Sequence, residues 1–179
     1  MLWCMHVLHE VYPPTHMHIL NEHYHIYNRG AHNEKLFRNK YDYEHFLALI
    51  FTHTRRGLVD NVEIIAYCLM AGHFHLVLRE KTQGGISRSM HRLCTAYAMY
   101  FNSKYNRSGP LFQGQYRSKH VADDDNLRYL IQYVHLIPYG VRGPEQLMTA
   151  KQSFLYRAIE RSRKYRYSSF KGYLRDDRP

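Results

Sequence analysis

Three histidine pairs with a single residue between them, His16/His18, His23/His25 and His73/His75, are the residues of this chain best suited to chemistry. On a β-strand, residues i and i+2 project from one face roughly 7 Å apart along the backbone. Such a pair on a rigid strand can present two imidazole nitrogens to one divalent metal ion. With 14 histidines in 179 residues, about one pair of this spacing arises by chance, so the surroundings must decide. His16/His18 lies near Pro13-Pro14, without a strand pattern to hold it. His23/His25 opens the segment HYHIYNRG and competes as a strand-borne pair. His73/His75 lies mid-chain in IIAYCLMAGHFHLVLR (residues 64–79), between two apolar segments, with Phe74 projecting the other way. The plainer alternative for this third pair is structural histidines satisfied by hydrogen bonds. A nucleotidyl-hydrolase histidine triad is excluded, because Val77 stands where its next histidine belongs.

A metal-held phosphate would need a nucleophile. Tyr129 and Tyr133 are four residues apart on an expected helix and so share a face. A phenol beside a phosphate polarised by a metal ion can attack phosphorus. The chain has 17 tyrosines, and core packing and base stacking are the commoner uses of the side chain, so composition leaves the choice open.

The formal net charge of +10 and a pI near 9.6 favour a polyanionic partner. The basic residues are interleaved with aromatics and not gathered on one amphipathic helix, which favours nucleic acid over a membrane surface. Arg29, Arg79, Gln113, Arg117 and Lys119 are candidate phosphate contacts, and Phe112 and Tyr116 candidate stacking surfaces for unpaired bases. Arg157, Arg161, Arg163, Lys164 and Arg166 form a further basic cluster, either a solvated helix face or a contact to a hairpin stem. Three dispersed cysteines (Cys4, Cys68, Cys94) argue against a disulfide scaffold or a thiolate zinc site and fit a cytoplasmic protein. No apolar run is long enough to span a bilayer, and the N-terminus does not resemble a signal peptide.

These groups need a scaffold. Strands are expected over residues 23–30, 62–70, 73–80 and 116–121, the middle two joined as a hairpin across Ala71-Gly72. Apolar spacing predicts helices over 41–56, 86–104, 126–136 and 152–164, with Asp123 to Asp125 at the start of the third. The order β-α-β-β-α-β followed by a helix is that of an α+β, ferredoxin-like antiparallel sheet with helices on one face. The expected organisation is a loosely ordered leader over 1–21, a catalytic domain over 22–143 and a basic C-terminal extension over 144–179 packed on it.

The blocks YHIYNRG followed by Leu36-Phe37, CLMAGHFHLVL, YFNSKYNRSGPLFQGQYRSKHV, LRYLIQYVHLIPYGV and YSSFKGYL occur in this order. Together they resemble the HUH-type single-tyrosine transposases, most closely the REP-associated tyrosine transposase branch, over residues 25–174. The resemblance implies a βαββαβ sheet with His73 and His75 as paired metal ligands on a central strand. It also implies that Tyr133, on a following helix, is the nucleophile, with Tyr129 as the substitute if the register differs. The implied activity is cleavage and joining of single-stranded DNA at or near hairpin-forming sequences, dependent on Mg²⁺ or Mn²⁺, through a 5′-phosphotyrosine. A monomer or a homodimer is compatible with it.

Two positions depart from the pattern. Relatives usually read MPNHxH where this chain has Met70-Ala71-Gly72 before His73, which alters the turn and leaves the ligands in place. The family places Asn or Gln one helical turn after the tyrosine, where it can complete the metal site; here Ile137 has no donor atom. A DNA-hairpin-binding protein with weakened or lost catalysis is therefore the alternative reading. An RNA-binding module on a similar sheet would require exposed strand aromatics, for which Phe74 is the nearest candidate.

Overall fold

The protein is described by a computed structural model over residues 18–51 and 61–175. Four strands, β1 (His23–Arg29), β2 (Val62–Met70), β3 (His73–Glu80) and β4 (Arg117–Val121), form one sheet in the order β2-β3-β1-β4. All neighbours are antiparallel. This is the ferredoxin-like order: each strand–helix–strand crossover skips one strand and the central ββ unit is a hairpin. Among the described residues the α-helices are α1 (Lys40–Phe51), α2 (Gly85–Lys104), α3 (Asp124–Leu136), α4 (Pro144–Thr149), α5 (Gln152–Ser162) and α6 (Phe170–Arg175). The helix expected to reach residue 56 is described to Phe51, and residues 52–56 lie outside the described residues.

Helices α1 and α2 cover one face of the sheet. Ile26, Phe74, Leu76 and Leu78 from the strands meet Phe46, Met90, Tyr97 and Phe101 from these helices, all without exposed surface. Each such side chain contributes about 1.5–3 kcal/mol of transfer free energy. The start of α2 is fixed by Glu80, whose buried carboxylate accepts from the backbone N–H groups of Gly85 (2.9 Å) and Ile86 (2.8 Å). A side chain at Gly85 would collide with the carbonyl of Asn61, so only glycine lets the helix begin this close to the β2 end.

Helix α3 covers the opposite face, where Leu130 and Val134 pack on Ala66, Cys68, Val77 and Val121. Strict alternation would place Ile64, Ala66 and Cys68 together. A register shift between Ile64 and Ala66 instead turns Ile64 toward α1 and α2 while Ala66 and Cys68 face α3. Asp123 caps α3 by accepting from the Asn126 N–H at 2.7 Å, with Asp124 and Asp125 in the first turn.

The segment after residue 143 joins this body. Leu136, Val141, Leu147 and Ala158 form a small core between α3, α4 and α5. Residues 167–169 then run along the free edge of β2: Leu69 N–H donates to Tyr167 O (2.8 Å) and Ser169 N–H to Tyr67 O (3.0 Å). Of the expected leader, residues 1–17 lie outside the described residues, whereas 18–21 are tied to the sheet. His18 Nε2 is 2.9 Å from Ser118 Oγ, and Ile19 N–H donates to the Tyr24 hydroxyl at 2.7 Å. Among the described residues no helix is long and apolar enough to cross a membrane.

Candidate functional site

The pairing of β1 with its two neighbours builds the site. Tyr27 lies opposite His75 on β3 and opposite Arg117 on β4. One step along, Arg29 faces His73, and in the other direction His25 lies between Val77 and Lys119. Directly opposed residues stand about 4.5–5.5 Å apart on one face. The face carrying the histidines therefore also carries Arg29, Arg117 and Lys119, around an aromatic floor of Tyr27. His73 and His75 have ring centroids 5.2 Å apart, and Tyr27 lies parallel to His75 at 5.8 Å.

His75 is 8% exposed, and its Nδ1 lies 2.8 Å from Nε2 of His25. Burial holds the His75 imidazole well below the ordinary histidine range, with the proximity of His25 and His73 acting the same way. Burial likewise lowers His73, and burial followed by the nearby Lys119 brings His25 to about 4. All three rings are accordingly neutral at physiological pH, the form in which imidazole ligates metals.

Helix α3 brings Tyr133 to this cluster. Its ring stands edge-on to His75 at 5.9 Å and to His25 at 6.3 Å, while Tyr129 is an exposed residue one turn earlier. Burial, and secondarily Glu145, raises the Tyr133 phenol above its ordinary pKa. The ring therefore rests as a phenol, and a phenolate needs a stabilising positive charge nearby. His135 points away, as expected for a residue two positions further along a helix. It is buried, with Nε2 2.8 Å from Ser169 Oγ, and ties α3 to the segment along the β2 edge.

The histidines open into a groove of about 800 Å³ lined by Tyr27, Asn28, Arg29, Asn33, Gln113 and Arg117, among others. Its rim is ordered by polar contacts: the Asn28 amide donates to Gly114 O at 3.0 Å, and Arg29 Nε donates to Gln113 Oε1. Gly30 is required beneath it, because a side chain there would overlap the Glu34 carbonyl.

Arg29, Gln113 and Arg117 thus line the groove, and Lys119 lies on the same face beside His25. Three candidate contacts are not brought there. Arg79 sits at the far end of β3, six residues or about 20 Å from His73, and donates to Glu63 and Asn21. Phe112 is 9% exposed in the main core, held by a bridge to Gly30. Tyr116 packs against the same core, with its hydroxyl 3.4 Å from Ser87 Oγ. Phe74 has no exposed surface, which removes the aromatic an RNA-binding sheet would need there. Tyr27, Asn33 and Gln115 of the groove were not singled out by the sequence. The alternation of His25, Tyr27 and Arg29 is visible in it, but the register that sets Tyr27 beside His75 is not.

The donor set fits an open divalent site. His75 has its Nδ1 engaged and leaves Nε2, and His73 supplies a second imidazole at the mouth of the groove. Among the described residues no group of three His, Cys, Asp or Glu is placed to hold a metal, and Ile137 is buried at 8% exposure without a donor. Remaining positions would fall to water or phosphate oxygens, as in catalytic rather than closed structural sites.

No curated protein sequence matches the chain. Among solved structures, a REP-associated tyrosine transposase bound to a REP hairpin superimposes with a TM-score of 0.62 at 11% identity, over 92% of this chain and 87% of that one. At that identity the match speaks for the fold alone. A family model described as "Transposase IS200 like" matches residues 14–136, well over half of the chain and all of the site described above. The chain belongs to the IS200-like transposase family.

Proposed function

We propose that this transposase-family protein cleaves and rejoins single-stranded DNA at hairpin-forming sequences, with Tyr133 as nucleophile and His73 and His75 as ligands of a divalent metal. The observation that carries the reading is the edge-on approach of Tyr133 to His75 at the mouth of a groove lined by Arg29 and Arg117. The bound ion would act as Lewis acid and template for the scissile phosphate.

The residues of the chain do the rest. Arg29 and Arg117 hold backbone phosphates on either side of Tyr27, whose ring offers a surface for an unpaired base. The Tyr133 oxygen forms a bond to phosphorus as its proton leaves to solvent, and the bond from phosphorus to the 3′ oxygen breaks. That oxygen takes up a proton, leaving a 3′-hydroxyl and a 5′-phosphotyrosine. Attack on this ester by a 3′-hydroxyl reverses the sequence, restores the phenol and completes strand transfer, so no nucleotide cofactor is needed. The test is cleavage of end-labelled single-stranded hairpin DNA with Mn²⁺ or with a chelator. Cleavage that needs Mn²⁺ and is lost in His73→Ala and His75→Ala supports the reading; cleavage indifferent to both variants refutes the assignment of ligands.

Ile137 supports a second reading, a hairpin-binding protein with weakened or lost catalysis. It predicts salt-sensitive hairpin binding without a cleaved product under any metal.

A further inference from the structure

His25 and His75 meet ring to ring at the floor of the site. Both lie on the sheet face toward α3, two residue pairs apart along the β1–β3 ladder, since His25 pairs with Val77 and His75 with Tyr27. Their rings stack at 5.1 Å and 20°, with Nε2 of His25 2.8 Å from Nδ1 of His75. A neutral imidazole carries one N–H and one lone pair, so in this contact one ring donates and the other accepts. Which way round decides whether His75 has a lone pair left for a ligand. If His25 donated, the free Nε2 of His75 would carry the proton and offer nothing to a metal. If His75 donates from Nδ1, its Nε2 lone pair is free.

We propose that His25 is a positioning residue for the metal site: its Nε2 accepts the Nδ1–H of His75, fixing the tautomer and ring orientation that turn the His75 Nε2 lone pair toward the metal. This rests on His73 and His75 being the ligands, as proposed above. Histidine ligands commonly donate their second N–H to a carboxylate or carbonyl, and losing such a partner weakens metal affinity about 10–100-fold. Here a neutral imidazole takes that place, on a neighbouring strand whose pairing with β3 fixes its position. The segment YHIYNRG thereby gains a role separate from that of Arg29 at the groove rim.

The rival geometry is a third ligand. Two donors at about 2.1 Å from one ion and at right angles stand about 3 Å apart, so the 2.8 Å separation alone does not distinguish the two roles. The experiment measures Mn²⁺ binding to the full chain from the electron paramagnetic resonance signal of the free ion. The variants are His25→Leu, His25→Gln, His73→Ala and His75→Ala, with circular dichroism and metal-free hairpin binding as controls of the fold. Electron spin-echo spectra of the bound ion count its imidazole ligands. The expected result is about 10–100-fold weaker binding for His25→Leu, recovery to within a few-fold for His25→Gln, whose amide oxygen can accept the same N–H, and two imidazoles on the ion in the parent. Parent-like affinity in His25→Leu overturns the proposal, as do three coordinated imidazoles or a His25→Gln variant as weak as His25→Leu. Should His25→Leu fail to fold, the imidazole count and His25→Gln still decide. If His73→Ala and His75→Ala bind Mn²⁺ as the parent does, the ligand assignment itself fails, whatever His25 does.

Discussion

Lowering the pH from 7 to 5 is expected to destabilise the fold through His135. This ring is 3% exposed, hydrogen-bonded to Ser169 and packed between Phe170 and Tyr173. Burial lowers its pKa from the ordinary 6.5 to about 4. Above pH 6.5 the ring is neutral in both folded and unfolded chains and adds no pH dependence. Between 6.5 and 4 the unfolded chain takes up a proton that the folded chain refuses, so stability falls with pH, and below 4 the effect is complete. At pH 5 the difference amounts to about 1.5 pH units at about 1.36 kcal/mol each, or about 2 kcal/mol. His25, His73 and His75, also lowered by burial, act in the same direction. The assay is urea unfolding at pH 7 and pH 5 for the parent and for His135→Gln, whose amide can reach Ser169 without titrating. The parent should lose about 2 kcal/mol more than the variant between the two pH values. Equal losses would refute the reasoning, because they would show that His135 binds its proton as readily folded as unfolded.

Ile137→Asn should tighten Mn²⁺ binding by about tenfold and cost about 1.5–3 kcal/mol of stability through lost apolar burial, read by calorimetric titration and urea unfolding. Arg29→Ala and Arg117→Ala should each weaken hairpin DNA binding and lower the slope of log affinity against log salt by about 1. Arg79→Ala, at the far end of β3, should leave both unchanged, and a loss as large as that of Arg29→Ala would mean the DNA path runs elsewhere.

The strands and the histidine pair were legible because local signals fix them. An apolar run broken at Gly72 bounds β2 and β3 at the residues expected, Val62–Met70 and His73–Glu80. The Asp123 to Asp125 cluster likewise marks the start of α3. Membership of a strand does not set distance along it: Arg79 shares the histidine strand but stands at its other end, paired with Glu63. Phe112 and Tyr116 lie in a polar stretch, yet the bridge from Gly30 to Phe112 folds that loop back onto the core. Pairing of this kind is long-range and leaves no periodicity in the sequence. The same holds for His25 and Tyr27, whose neighbourhood with His75 follows from the β1–β3 register alone. Most of the expected leader, residues 1–17, lies outside the described residues.

Trapping a tyrosine ester with DNA tests whether Tyr133 is the nucleophile. Labelled hairpin DNA is incubated with Mn²⁺ and the parent, Tyr133→Phe or Tyr129→Phe, and resolved on a denaturing gel. A covalent protein–DNA band is expected for the parent and for Tyr129→Phe, and none for Tyr133→Phe. A band that survives in Tyr133→Phe would contradict that assignment.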